Sequence, residues 1–305
     1  MTITFFFSLL IFITYLIIGI SSYQLNSPYT NVRKDIIKYT SKMIIFQNLF
    51  KLVKVSAYNL NMNSDDIVVI GSNGKTGKII VQKLKEKKIP VRAASRRLDN
   101  NNNNNYYKYN NEQCFIDVTK IDPIENAIKN SKAVIFAASA SNSGGNANDV
   151  DYIGLQNVAS EVLRLKVPRL IVISVAALNR PNSSVFAATE FIGNIRSWKK
   201  NIMEYKLKGE EAVIDAYKLS NDKSLSYTII RPGILFDAKG VGAIGIELNQ
   251  GDTISGEINR EDVADCAIAA ALSKTVANNV IFEVYQTEGI VILLLLLLLL
   301  LSVIC

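Results

Sequence analysis

Residues 65–288 predict a doubly wound α/β fold, a parallel sheet with helices on both faces forming a single domain. Three observations carry this prediction. From Asp65 onward, short β-branched runs alternate with longer amphipathic stretches, the pattern of successive βαβ units. The first run, Ile67-Val-Val-Ile70, passes straight into the glycine-rich turn Gly71-Ser-Asn-Gly-Lys-Thr-Gly77 and then into a helical stretch. The second run ends on Ala93-Ala-Ser-Arg-Arg97, at the position where a sheet of this type reads a bound nucleotide.

Strands are expected at 67–70, 91–95, 114–116, 133–137, 169–174, 227–231 and 282–284. Runs such as Ala133-Val-Ile-Phe-Ala137 and Leu170-Ile-Val-Ile173 are apolar without alternation, as strands covered on both faces must be. Helices are expected at 77–87, 123–129, 151–165, 205–218 and 260–273, in gaps long enough for parallel crossovers. The tract 99–111 holds six consecutive asparagines at 100–105. It has no apolar surface to bury and reads as a surface insertion between two strands. With 49% apolar residues over 305 positions, the chain has ample material for a buried core.

The two ends read differently from the middle. Residues 1–22 are an apolar run followed by small residues, the form of a signal peptide or of an uncleaved anchor. Residues 23–64 are hydroxylated and basic, the composition of a transit peptide or of an amphipathic linker. Six of the Lys/Arg residues, against the single acid Asp35, lie in 22–64, so most of the net charge of +7 belongs to the leader. The basic balance therefore gives no ground for expecting a nucleic-acid partner. Residues 289–305 form an apolar low-complexity tail with nine consecutive leucines. Both apolar ends leave membrane association open.

The chain has no histidine and three cysteines far apart, at 114, 266 and 305. Ser-His-Asp and Cys-His nucleophilic catalysis are thereby excluded. A disulfide framework and the usual zinc sites are not expected, and no metal is.

The order strand, glycine turn, helix is the setting of a Rossmann-type pyrophosphate site. Gly71, Gly74 and Gly77 permit a tight turn and close approach of backbone to phosphate, and Asn73, Lys75 and Thr76 complete the loop at a helix N-terminus. A phosphate-loop NTPase reading fails because Lys75 and Thr76 follow Gly71 one residue too early. At the end of the second strand, Arg96 and Arg97 stand where an acid would bind the ribose hydroxyls of NAD. Arginines there suit the 2′-phosphate of NADP(H), the expected cofactor. Asp117 and Val118 follow the third strand, where a carboxylate and a backbone amide read adenine. Ala137 and Ala138 follow the fourth, where small residues let the chain pass close to the cofactor.

With these pieces in order, the chain resembles the atypical short-chain dehydrogenase/reductases of the NmrA-like NAD(P)-binding group, plastid and cyanobacterial members above all. The resemblance is carried by the glycine turn, Asp151-Tyr-Ile-Gly-Leu-Gln-Asn157, Lys206-Leu-Lys-Gly-Glu-Glu211, Tyr227-Thr-Ile-Ile-Arg-Pro-Gly233 and Ile258-Asn-Arg-Glu-Asp-Val-Ala264. It implies that Lys206 holds the nicotinamide ribose, that Ser174 occupies the catalytic Ser/Thr position, and that Arg231, Pro232 and Gly233 close over the nicotinamide. Ser174 and Lys206 are the candidate catalytic residues. The family's Tyr-x-x-x-Lys pair is broken, because Ile202 stands four residues before Lys206. Tyr205 is adjacent to the lysine and so points about 100° away on a helix.

Two functions are expected from this. One is an NADP(H)-dependent oxidoreductase acting on a small molecule without the tyrosine. The other is a non-catalytic NADP(H)-binding redox sensor or plastid assembly factor with a protein partner. A signal peptide followed by a transit peptide resembles the bipartite leader of proteins sent to plastids bounded by extra membranes. A membrane anchor in the secretory pathway is the alternative. The substrate pocket is expected from 176–198 and 235–256.

Overall fold

The computed structural model describes residues 66–97, 113–142, 144–273 and 277–287. The expected leader (1–22 and 23–64), the asparagine tract (99–111) and the apolar tail (289–305) lie outside them.

The described chain runs β1 (Ile67–Ile70), α1 (Lys75–Glu86), β2 (Val91–Ser95), β3 (Gln113–Phe115), α2 (Ile121–Ile128) and β4 (Ala133–Phe136). A π-helical turn, Asn148–Gly154, leads into α3 (Leu155–Arg164), then β5 (Arg169–Ile173), α4 (Ser184–Ile195), α5 (Ile202–Ser220) and β6 (Ser226–Pro232). Last come β7 (Ile234–Phe236), β8 (Ile246–Asn249), β9 (Glu257–Asn259), α6 (Arg260–Leu272) and β10 (Val280–Gln286).

The eight-stranded sheet has the order β3-β2-β1-β4-β5-β6-β10-β8. All its pairings are parallel except β10 with β8. This is the doubly wound Rossmann arrangement expected from the sequence. β7 and β9 form a separate parallel pair. The strand order reverses between β1 and β4, and at such a switch point the two crossovers leave to opposite faces and open a crevice at the strands' C-terminal ends.

Two apolar cores flank the sheet, and alternate residues of each central strand serve them. Ile67 and Val69 of β1 join Ile80, Val81 and Leu84 of α1 and Val263, Ala267 and Ala270 of α6. Val68 and Ile70 join Ile124 of α2, Val158 and Val162 of α3, and Val213 of α5. Burial on both faces is why β1 is apolar throughout. A third cluster gathers Ala140, Ala147, Ala177, Leu178, Ile202 and Met203 near the C-terminal ends of the strands. Among the described residues no helix is long and apolar enough to cross a membrane.

The structure adds elements that the periodicity did not predict. α4 arises inside the stretch 176–198, and β7, β8 and β9 arise within or beside 235–256. The first turn of the expected helix 151–165 is π-helical and begins at Asn148, a local widening of the kind often met at functional sites.

Candidate active site

The glycine turn sits at the switch point between β1 and β4. Gly71 has φ +85°, and a Cβ there would lie 2.7 Å from the Ala138 amide nitrogen. Only glycine meets both demands. Its N–H donates to Ala94 O at 3.0 Å, tying the turn to β2. A Cβ on Gly77 would stand 2.2 Å from Gly71 O, so α1 begins in direct backbone contact with the turn.

The N-terminus of α1 is left open. Its cap, Gly74, carries no side-chain acceptor, and the first turn contains no acid. Such a terminus presents unpaired amides and a positive dipole end, the physical requirement for holding phosphate. This cradle of small residues and free amides fits the pyrophosphate of a dinucleotide.

Around it, Asn73 Nδ2 donates to Ser95 Oγ (3.0 Å) and Arg97 O (2.8 Å), locking the turn to the end of β2. Arg96 and Arg97 are exposed there. The Arg96 guanidinium extends over the loop after β4, where a Cβ on Gly144 would lie 1.9 Å from its Nη2. Thr76 lies in the first turn of α1. Lys75 pairs with Asp237 after β7 at 2.6 Å. Asp237 also accepts from Arg260 at the start of α6.

Ala137 and Ala138 supply the surface against which Gly71 packs. Asp117 Oδ1 accepts from the Thr119 amide at 3.1 Å and hydroxyl at 2.8 Å, closing its own turn. Val118 is buried against Gly154, and its carbonyl accepts from Asn157 Nδ2 at 3.0 Å. The Asp151-to-Asn157 segment thus fastens the π-turn to the end of β3.

Ser174 follows β5. Its amide donates to Ile230 O at 2.8 Å, and its Oγ is buried without a hydrogen-bond partner among the described residues. A buried hydroxyl left unpaired costs about 1–3 kcal/mol, and a ligand at the end of β5 would relieve that cost.

Lys206 Nζ lies 2.8 Å from Asp151 Oδ1, and the Asp151 side chain is fully buried. That oxygen falls outside the angular limits of a hydrogen bond, but at this separation charge attraction dominates, so the contact is an ion pair. Asp151 Oδ2 accepts from the Ala140 amide at 2.9 Å, linking the loop after β4 to the same carboxylate. Gly209 makes the approach possible, since a Cβ there would be 2.2 Å from Asp151 O. Ile202 is 4% exposed within the third core cluster. The Tyr205 ring lies against the same cluster, with Lys208 Nζ 5.3 Å from its centroid.

Arg231, at the end of β6, has buried partners that the sequence did not show. Its guanidinium is buried in a two-pronged pair with Glu210, at 3.0 Å from Nε and 2.6 Å from Nη2 to Oε2. Glu283 lies 3.6 Å from its Nη1. The arginine braces β6 between α5 and β10. Pro232 O accepts from the Ala176 amide at 2.9 Å. A Cβ on Gly233 would meet Gly256 O at 2.2 Å. This segment holds the loop after β5 and the β7–β9 pair in place. Asp252, also buried, accepts from the Ala177 and Asn179 amides at 2.8 and 2.9 Å.

Residues 71–274 match the family described as NAD(P)H-binding. The chain belongs to that family. Among curated relatives it is 26% identical over 221 residues to the UPF0659 protein YMR090W of Saccharomyces cerevisiae, covering 69% of this chain and 88% of that protein. It is 24% identical over 186 residues to the chloroplastic divinyl chlorophyllide a 8-vinyl-reductase of Arabidopsis thaliana, spanning 57% of this chain but only 40% of that protein. The fold is similar to that of a short-chain dehydrogenase/reductase from Veillonella parvula solved with NADP, with TM-score 0.57 and 16% identity over 74% of this chain and 96% of that one. The family is thus NAD(P)H-binding.

Sequence reasoning missed several residues of this region. Gly144 lies under Arg96, Asp151 neutralises Lys206, and Asp237 bridges Lys75 and Arg260. Lys199 is half-buried in the link between α4 and α5. Burial first, then Lys206, push its ammonium below the ordinary lysine range, while Asp151 opposes them. A lone lysine among Lys199, Lys200 and Lys208 carries no sequence signal that separates it from a solvated face.

Proposed function

We propose that the protein is an NADP(H)-dependent oxidoreductase that works without the tyrosine of the Tyr-x-x-x-Lys pair. The observation that carries this reading is the open N-terminus of α1 behind the Gly71–Gly77 contact, a phosphate cradle within an NAD(P)H-binding family. The preference for NADP(H) rests on Arg96 and Arg97 at the end of β2, which suit a 2′-phosphate. When bound, a nicotinamide supplies or takes up hydride.

The chain's own residues then have limited tasks. The amides at the start of α1 hold phosphate. Ser174, with a buried and unpartnered hydroxyl, holds or relays a proton near the end of β5. Lys206, held by its ion pair with Asp151, orients the ribose. Ile202, packed in the core, offers no proton, so the substrate receives its proton from Ser174 or from water.

The test loads the protein with NADPH and follows its oxidation against quinone, aldehyde and enone acceptors. Arg96→Ala and Arg97→Ala should each weaken NADPH far more than NADH. Equal losses for both cofactors would refute the 2′-phosphate assignment. The buried Ile202 favours one second reading, a sensor in which NADP(H) is a ligand and never a reactant. Tight NADPH binding without turnover on any acceptor would select it. We further propose delivery to a plastid by residues 1–64, in keeping with the chloroplastic relative. A fluorescent fusion of that segment retained in the secretory pathway would refute it.

A further inference from the structure

We infer that the C-terminal end of the sheet carries a membrane-docking surface: α4 and the segment 234–245 rest on a lipid bilayer, which the apolar residues 290–305 enter beside them. The inference does not depend on the oxidoreductase reading.

Exposed apolar side chains are unevenly placed on this fold. Scattered singly they are ordinary, but seven of the ten large ones exposed among the described residues fall in two short segments, the kind of clustering that marks an interaction surface. Phe191, Ile192 and Ile195 lie on α4, with Phe191 68% and Ile195 69% exposed. Ile234, Phe236, Val241 and Ile244 lie in the segment 234–245, where Ile244 is 80% exposed. Ile234 and Phe236 are two apart on β7 and share the face away from the half-buried Leu235. Val241 packs against Gly245, next to Ile244.

Hydrogen bonds hold both segments at one end of the sheet. The segment 234–245 continues from the end of β6, and its Val241 and Gly242 amides donate to Asp262 in the first turn of α6, both at 2.9 Å. α4 follows β5, and its Glu190 accepts from the Met203 amide at the start of α5 at 2.7 Å. Met203 belongs to the third core cluster, which sits at the C-terminal ends of the strands.

The chain itself indicates what covers this surface. β10 runs parallel to β6, with Val284 opposite Pro232, so it ends on the same side. The Thr287 amide then donates to Gly245 O at 2.8 Å, beside Ile244. Ile290 follows after three further residues, at most about 11 Å of chain. From Ile290 to Cys305 the sequence carries no charge and one hydroxyl, Ser302. Such a segment has no polar face, so folding it back over the exposed side chains would leave its outer side against water. A bilayer covers the segment on all sides and the neighbouring side chains with it. Arg196 and Lys200, both exposed just after α4, add the positive charge that favours an anionic lipid surface.

Trp198 is the chain's only tryptophan and directly follows α4, half-buried, so it reports on this surface. The test places the full chain on vesicles of phosphatidylcholine and phosphatidylglycerol and compares Trp198 emission on plain and on brominated acyl chains. Residues 1–22 are apolar too, so the reading is orientation on the vesicle, not attachment alone. Brominated lipid should quench Trp198 in the wild type. Phe191→Glu/Ile195→Glu should lower the docking equilibrium by about tenfold or more and remove most of the quenching, whereas Phe191→Leu/Ile195→Leu should keep it. Ile244→Glu, on the other segment, should act like the glutamate pair. These positions are exposed, so thermal unfolding without lipid should not move. A wild type that does not attach, or attaches with Trp198 unquenched, would overturn the inference, as would undiminished quenching in both glutamate variants. So would a lipid-free oligomer that the glutamate pair dissociates, which would assign the surface to a second copy of the chain.

Discussion

Gly77→Ala is the sharpest perturbation of the proposed cofactor cradle, because the structure fixes its consequence. The added methyl would sit 2.2 Å from Gly71 O, and real Cβ contacts essentially never fall below 3.0 Å, so α1 and the turn must separate by at least 0.8 Å. An amide drawn back by that amount takes a hydrogen bond of about 2.9 Å beyond 3.5 Å, where it no longer holds phosphate. Hydrogen bonds to a charged acceptor are worth about 1.5–3 kcal/mol, so loss of one weakens NADPH by roughly 10- to 150-fold. Stability should fall by at most about 2 kcal/mol. The steric cost of about 1–3 kcal/mol is offset by about 1 kcal/mol from replacing glycine with alanine inside a helix. Binding is read by the quenching or shift of NADPH fluorescence, and stability by thermal unfolding of the free protein. A variant that keeps its fold and binds NADPH within about threefold of wild type would refute the assignment of this turn to the phosphates.

Two further predictions concern buried charge. Lys206→Met leaves the Asp151 carboxylate buried with only an amide donor and should cost about 3–5 kcal/mol in chemical denaturation, with partial recovery in the Asp151→Asn/Lys206→Met double variant. Loss of NADPH binding at unchanged stability would instead make Lys206 a pure cofactor ligand. Glu283 should give a pH signature, because burial raises its carboxyl above the ordinary value of 4.5, with the Asp252 amide and Arg231 opposing. The folded state then binds more protons than the unfolded one above pH 4.5, so this group's contribution to stability falls as pH rises through that window. The stability of wild type relative to Glu283→Gln should decline with pH there, and a flat difference in melting temperature between the two would refute it.

What could be read from the chain follows the range of the interactions. β1 and β2 fall on the expected residues, since strands buried on both faces announce themselves as continuous apolar runs and the glycine turn punctuates the first. α4 escaped because its apolar residues do not form one buried stripe: Phe191, Ile192 and Ile195 are exposed, and only Gly193 is buried. β7, β8 and β9 are three or four residues each, too short for a period to emerge. In the site, the glycines were legible from local order alone. The partners of Lys206 and Arg231 were not, because Asp151, Glu210 and Glu283 meet them only through the packing of α3, α5 and β10 around the sheet.

These distant pairings bear on the proposed mechanism without a tyrosine at position 202. Lys206 and Glu210 are one turn apart on α5, and each reaches a different buried partner, Asp151 on the π-turn and Arg231 on β6. The helix is thereby fastened to both walls of the crevice by charge, and Ile202 on its preceding turn adds apolar packing to Met203, Ala177 and Leu178. A phenol at position 202 would have to enter that cluster or displace it. Lys206 has a buried counter-ion in Asp151, while position 202 belongs to the core. On the proposed reading, proton supply has moved away from α5 to the end of β5, where Ser174 holds a buried hydroxyl with no partner among the described residues. Hydride chemistry can survive this change because protonation is separable from hydride delivery.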